Sequence, residues 1–257
     1  MGKIISAMLV SLLFICMLSP PFISHITWAS VVDVSDDSWT TKAPMNYARA
    51  NLGVVAVNGK IYAIGGDVGS IFGNCVTIKT MSATVSTNEE YDPITNAWTV
   101  KASMPTNRAL FGIAAYNDKI YCIGGYTTTE YTNEWGGSSY SYEATKCNEV
   151  YDPAKDSWAT MAPLSEPLSQ IQANTVENKI YVTASGSTLL YVYNTVTNSW
   201  TQKTPAPLQV ANFASAVIDH KIITIGRTTE YQYYLQTYDP GFPLLHHYVG
   251  GSTPRVL

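Results

Sequence analysis

Charge is scarce in this chain. Only 13% of its 257 residues are Asp, Glu, Lys or Arg, the net charge is −4, and the 15 basic residues form no cluster. A nucleic-acid partner needs a basic stripe against phosphate, so none is expected. Histidine is scarcer still, with four in all. His220 stands beside Lys221, and the His246-His247 pair has no acidic or cysteine neighbour at ligand spacing. No metal site and no cofactor are expected on that basis. No Ser/His/Asp signature occurs, so no catalytic residue is assigned. The Asn-x-Ser/Thr glycosylation signal is also missing despite many Asn.

A long apolar run occurs once, at the N-terminus. Lys3 supplies a positive charge, Ile4–Leu18 is uncharged and mostly apolar, and Pro20-Pro21 ends the run. Thr27-Trp28-Ala29 precedes Ser30 as a cleavage site. This is the three-part secretory pattern, so residues 1–29 read as a signal peptide, residues 30–257 as one domain, and the location as secreted or cell-surface. An uncleaved anchor is the other reading, and would make the membrane a partner through this segment alone. Fifteen residues fall short of the roughly 20 that a span needs. Export permits disulfides. Cys16 leaves with the leader, which leaves Cys75, Cys122 and Cys147. Cys122 occupies a strand slot held elsewhere by Ala63 and Thr224, so Cys75 and Cys147, in or beside long loops, are the better pair.

What the chain does have is a repeat. Residues 59–66 read GKIYAIGG and 118–125 read DKIYCIGG; residues 91–98 read YDPITNAW and 151–158 read YDPAKDSW. The lysines of the KIY or KII blocks are Lys60, Lys119, Lys179 and Lys221, and an apolar strand-type run precedes each. Self-similarity near 50 residues marks a repeat architecture of stacked small sheets. The glycine pairs Gly65-Gly66 and Gly124-Gly125 end a strand where a Cβ is excluded. Asp92-Pro93 and Asp152-Pro153 open tight turns, and Asn96, Asp156 and Asn198 sit late in those turns, where the left-handed region is tolerated. Tyr91, Tyr151, Trp98, Trp158 and Trp200 recur in register and read as packing between neighbouring sheets.

The glycine pair, the Tyr and the Trp seven positions later together resemble the kelch repeat, over about residues 36–240. The resemblance implies an all-β, kelch-type β-propeller with four recognisable blades of four antiparallel strands, forming a complete ring or part of one. The third block replaces the glycine pair with Ala184-Ser185-Gly186, and the fourth has Gly226-Arg227 with no Trp after Tyr238. Asp36-Asp37-Ser38-Trp39-Thr40 matches Thr95-Asn96-Ala97-Trp98-Thr99. The N-terminal segment around Trp39 is therefore expected to supply the outer strand of the last blade and cover its edge.

Two segments, 67–88 and 126–147, lengthen the connection between second and third strands in consecutive blades. Long insertions on a rigid scaffold are where function is carried. The second holds Tyr126, Tyr131, Trp135, Tyr140 and Tyr142 among small polar residues, a mix suited to recognition. Arg49 and Arg108 are equivalent positions just before the inner strand, which lines the central channel in kelch relatives. There they are candidates for gripping a carboxylate bidentately, or else structural arginines that bond neighbouring turn carbonyls. The leading expectation is a binding module for a protein or glycan, using the two loops. The alternative is a sugar epimerase or mutarotase resembling sialic-acid epimerases, with Arg49 and Arg108 at the channel mouth.

Overall fold

The structure is a computed structural model. It describes residues 39–69, 82–132, 138–228, 233–241 and 248–251. The chain divides after Thr41, and Lys42–Leu257 carries the fold. The expected leader, together with Cys75 and Trp135, lies outside the described residues.

Four four-stranded antiparallel sheets follow one another. Blade 1 is β1 (Gly53–Val57), β2 (Lys60–Ile64), β5 (Asn88–Asp92) and β6 (Ala97–Lys101). Between its second and third strands lies a hairpin of β3 (Asp67–Gly69) and β4 (Ser82–Thr84). Blade 2 is β7 (Gly112–Tyr116), β8 (Lys119–Ile123), β11 (Asn148–Asp152) and β12 (Ser157–Thr160), interrupted by a hairpin of β9 (Tyr126–Thr132) and β10 (Ser138–Ala144). Blade 3 is β13 (Ile171–Val176), β14 (Lys179–Ala184), β15 (Leu190–Asn194) and β16 (Ser199–Lys203). Blade 4 is β17 (Ala211–Ile218), β18 (Lys221–Arg227), β19 (Tyr233–Tyr238) and β20 (Tyr248–Gly251). The inner strands β1, β7, β13 and β17 neighbour one another in that order, which is the propeller arrangement. No helix occurs among the described residues.

Local chemistry explains the elements. The second strands are β-branched and aromatic, KIYAI and KIYCI, and β8, which has a blade on each side, is buried on both faces. The hairpin turns into them need positive φ, and Asn58-Gly59, Asn117-Asp118 and Asp219-His220 all adopt it. Gly66 and Gly125 have φ of 100° and 94°, and a Cβ on either would lie 2.5 or 2.7 Å from the carbonyl of Ala50 or Ala109. No side chain fits there.

The blades are joined by a bond set that repeats three times. Asn96, Asp156 and Asn198 have φ near 50°. Their Oδ1 atoms accept the hydroxyls of Tyr91, Tyr151 and Tyr193, at 2.8, 2.6 and 2.7 Å. The same Oδ1 atoms accept the backbone N–H of Ala43, Ala102 and Ala162, on the segment preceding each blade. Those alanines return their carbonyls to the indoles of Trp98, Trp158 and Trp200, at 2.9, 2.8 and 2.7 Å. Each indole also packs on its own blade's tyrosine, with ring centroids 5.0–5.1 Å apart.

The expected N-terminal closure does not occur. Trp39 is fully exposed, and residues 39–45 carry no strand. The fourth strand of blade 4 is β20, from the tail that departs from the repeat, paired through Leu235↔Val249. The outer edge that the Trp39 segment was expected to cover is already taken, because β19 pairs β18 on one side and β20 on the other. The segment just after Trp39 does keep its repeat role, because the Ala43 carbonyl accepts the Trp98 indole of blade 1.

Asp156 is the one titrating member of its set. The Tyr151 hydroxyl, and then the Ala102 N–H, hold its carboxyl below the usual aspartate range. A folded pKa below the unfolded value stabilises the fold above the unfolded pKa, and that stabilisation is lost as pH falls through the folded value. Between pH 6 and pH 3, the urea midpoint of the wild type should therefore fall further than that of Asp156→Asn. Equal falls would show that the carboxylate is not the acceptor.

Candidate functional site

The two arginines lie inside the blades. Arg108 is fully buried and directs all five of its N–H donors inward. Its Nη2 bonds Glu149 at 2.7 Å and the Cys122 carbonyl at 3.1 Å; Nη1 bonds the carbonyls of Gly124 (3.3 Å) and Cys147 (3.1 Å); Nε meets the Met104 sulfur at 3.3 Å. The Arg49 side chain is equally buried, paired with Glu89 and bonded to the Ala63 carbonyl at 2.7 Å. Neither guanidinium is open to a ligand carboxylate. The channel-mouth assignment is corrected accordingly, because a buried guanidinium requires an internal anion and finds one in its own blade. The signal was present in the sequence. Glu89 and Glu149 accompany Arg49 and Arg108, whereas blades 3 and 4 replace both partners, with Leu168 and Tyr191, and with Val210 and Gln236.

Arg108 also braces the second insertion. Gly124 lies at its start and Cys147 at its end, so one guanidinium clamps the carbonyls at both roots. The hairpins beyond are locked across the blade boundary. Thr84 on β4 and Thr128 on β9 exchange bonds: each backbone N–H donates to the other's hydroxyl, at 2.8 and 3.1 Å, and the hydroxyls lie 3.0 Å apart. Asn107 adds bonds to the Thr84 carbonyl and hydroxyl. Asp67, itself buried, accepts from the Tyr126 hydroxyl at 2.5 Å and from Asn51 Nδ2 at 2.9 Å. Burial, then Asp67, pushes the Tyr126 phenol up, so it remains a donor. The Tyr126 ring meets that of Tyr142 edge-on at 5.3 Å. Tyr131 and Tyr142 are exposed, and Tyr140 is half-buried.

Asn51 leads directly from this hairpin surface into a cavity of about 430 Å³. The cavity is lined by equivalent positions of all four blades, Asn51-Leu52, Leu110-Phe111, Gln170-Ile171 and Asn212-Phe213, with Gln172 and Ser185. Asn51, Leu110, Gln170 and Asn212 all have φ between 47° and 54°. Holding non-glycine residues there costs conformational energy. Bonds between blades compensate for it: the Leu110 N–H donates to the Asn51 carbonyl, and the Ile171 N–H to the Leu110 carbonyl. The rim is amide and hydroxyl, the floor is Leu, Ile and Phe, and no ionisable residue lines it.

Sequence comparison decides the family. The Kelch motif family matches residues 48–105 and 107–165, which are blades 1 and 2 with their preceding segments. The chain belongs to the kelch-repeat proteins. Kelch-like protein 35 of Mus musculus is 24% identical over 224 residues, 86% of this chain and 33% of that protein. Kelch-like protein terF of Aspergillus terreus is 27% identical over 201 residues, 74% of this chain and 40% of that protein. The chain thus spans only about a third to two fifths of the length of these relatives. Among solved structures, that of YjhT superposes with a TM-score of 0.64 at 15% identity, covering 81% of this chain and 74% of that one. This likeness speaks to the propeller fold alone.

Other residues singled out in the kelch blades have structural places. Cys122 is buried, and burial pushes its thiol up to about 12. Cys147 is a free thiol that accepts a bond from the Thr145 hydroxyl at 3.0 Å. Its expected partner, Cys75, lies outside the described residues.

Replacing Arg108 with Met leaves Glu149 buried and unpaired, which should lower stability by roughly 3–5 kcal/mol in urea unfolding. The double change Arg108→Met/Glu149→Gln should recover part of that loss. Amide exchange across β9 and β10 should quicken in the single variant, because both roots are released. A fully stable Arg108→Met protein would refute the clamp.

Proposed function

We propose that this kelch-repeat protein is an exported binding module. It holds a neutral, polar protein partner on the face formed by the two hairpin insertions and the adjoining cavity mouth. One observation carries the reading: the Thr84–Thr128 exchange, with Asp67 between Asn51 and Tyr126, joins two insertions and the rim of the cavity into one continuous surface. Insertions that merely filled space would have no reason to be bonded across a blade boundary. The exposed tyrosines supply flat amphipathic contact area for a partner recognised by rings and hydrogen bonds. Export is supported by the tripartite pattern of residues 1–29.

A glycan is the second reading. It is favoured by the uncharged amide rim above Phe111 and Phe213, since oriented polar groups over an apolar floor suit a hydroxyl-rich ligand. The epimerase alternative has lost the two arginines assigned to it, which are occupied inside the blades.

The test is a screen of the full chain against extracellular proteins and a glycan array, followed by two variants. Tyr131→Ser with Trp135→Ser should weaken capture of a protein partner by about tenfold or more. The same change should leave the thermal midpoint unchanged, because Tyr131 is exposed and exposed side chains contribute little to the core. If Gln170→Ala removes binding while the tyrosine–tryptophan variant keeps it, the cavity is the working site and the glycan reading replaces the protein one.

A further inference from the structure

The two ends of the blade series are unfinished, and they match. Each blade has a leading face toward the blade before it in sequence and a trailing face toward the blade after it. Between blades 1 and 2, Val57 and Ile64 on the trailing face form one buried cluster with Ile113 and Ile120 on the leading face. The hairpin register makes positions comparable, since Val57 pairs Lys60, Tyr116 pairs Lys119 and Ile218 pairs Lys221. On the leading face of blade 1, the equivalents of Ile113 and Ile120 are Val54 and Ile61. On the trailing face of blade 4, the equivalents of Val57 and Ile64 are Ile218 and Ile225.

Those four side chains are bare. Ile61 is 36% exposed, whereas Ile120, Ile180 and Ile222 are at 0–2%. Val54 is 56% exposed. Ile218 and Ile225 are 55% and 54% exposed, against 6% for Val57 and 0% for Ile64. The quartet that seals an internal junction is therefore split in two, with one half at each end of the same chain. Within the chain the halves do not meet. Scattered exposed aliphatics need no explanation, but halves of one repeated interface do.

We propose that the leading face of blade 1 receives the trailing face of blade 4 from a second copy of this chain, head to tail. The occupant follows from the repeat. The surface that fits Ile218 and Ile225 is one with branched aliphatics at the positions of Ile113 and Ile120, and blade 1 carries that surface. Such an interface is heterologous: each copy contributes a different half. It also bears on the cavity. In the internal junction, the Leu110 N–H bonds the Asn51 carbonyl; at the new junction the equivalent pair is Asn51 of one copy and Asn212 of the other. The rim of positive-φ residues then runs on from copy to copy. This pairing is independent of what the hairpin face binds.

The test is sedimentation velocity on the full chain over about a hundredfold range of concentration. The wild type should self-associate. Ile61→Asp and Ile225→Asp should each weaken self-association by about 100-fold. An equimolar mixture of the two variants should restore a species of two chains, because one keeps its trailing face and the other its leading face. Both positions are exposed, so circular dichroism and the thermal midpoint should match the wild type; Ile61→Ser and Ile225→Ser replace any variant that does not. A wild type that stays monomeric throughout overturns the proposal. So does association that survives both substitutions, or that only one of them removes, since a face pairing with its own copy needs only one position.

Discussion

Every blade of this propeller that carries the Tyr–Trp pair is held to the chain before it by one small constellation. It comprises a tyrosine hydroxyl and an alanine N–H converging on a single Asn or Asp oxygen, with the alanine carbonyl capped by a tryptophan indole. Each bond contributes about 0.5–1.5 kcal/mol net, and the group lies half in solvent. Its importance is geometric. The left-handed turn at Asn96, Asp156 or Asn198 can aim its side chain only when the third and fourth strands are already paired. The alanine reaches it only when the neighbouring segment is docked. Sheet pairing inside a blade and docking between blades are therefore the same event, which suits an architecture whose stability accumulates from nearest-neighbour terms. Where the outer edge of the last blade is filled by β20, the Trp39 segment has no strand to join, and Trp39 stays in solvent.

Superimposed on that common frame is a difference between the halves of the molecule. Blades 1 and 2 carry a buried Arg–Glu pair, and blades 3 and 4 do not. A buried ion pair is a poor source of net stability, since desolvation offsets most of the attraction. What these pairs do is hold carbonyls where the backbone leaves the sheet. Arg108 binds the main chain on both sides of the β9–β10 hairpin. Only the blades with insertions have the pair. Stiff roots let two hairpins meet accurately enough for Thr84 and Thr128 to exchange bonds. The arginines thus serve the candidate binding face as supports and not as contacts.

Much of this is legible in the residues alone. The repeat period, the glycine pairs, the turn acids and the recurring Trp define the blades, because each is a local requirement of φ or of strand chemistry that recurs wherever a blade is built. The adjacency of the two insertions also follows from the repeat, since equivalent points in consecutive blades must face the same way. The residues do not disclose where a side chain points or what meets it. Arg49 and Arg108 read equally well as a ligand clamp or as internal struts until the burial of Glu89 and Glu149 is known. The repeat pattern points to the stretch around Trp39 as the strand completing blade 4. That strand comes instead from Tyr248–Gly251, which has no likeness to the repeat, because strand pairing asks only for backbone hydrogen bonds in register and carries little side-chain signature at an outer edge. Local backbone demands are written in the sequence. Partner choice between distant groups, which depends on the sum of burial and charge across blades, is decided only by the tertiary structure.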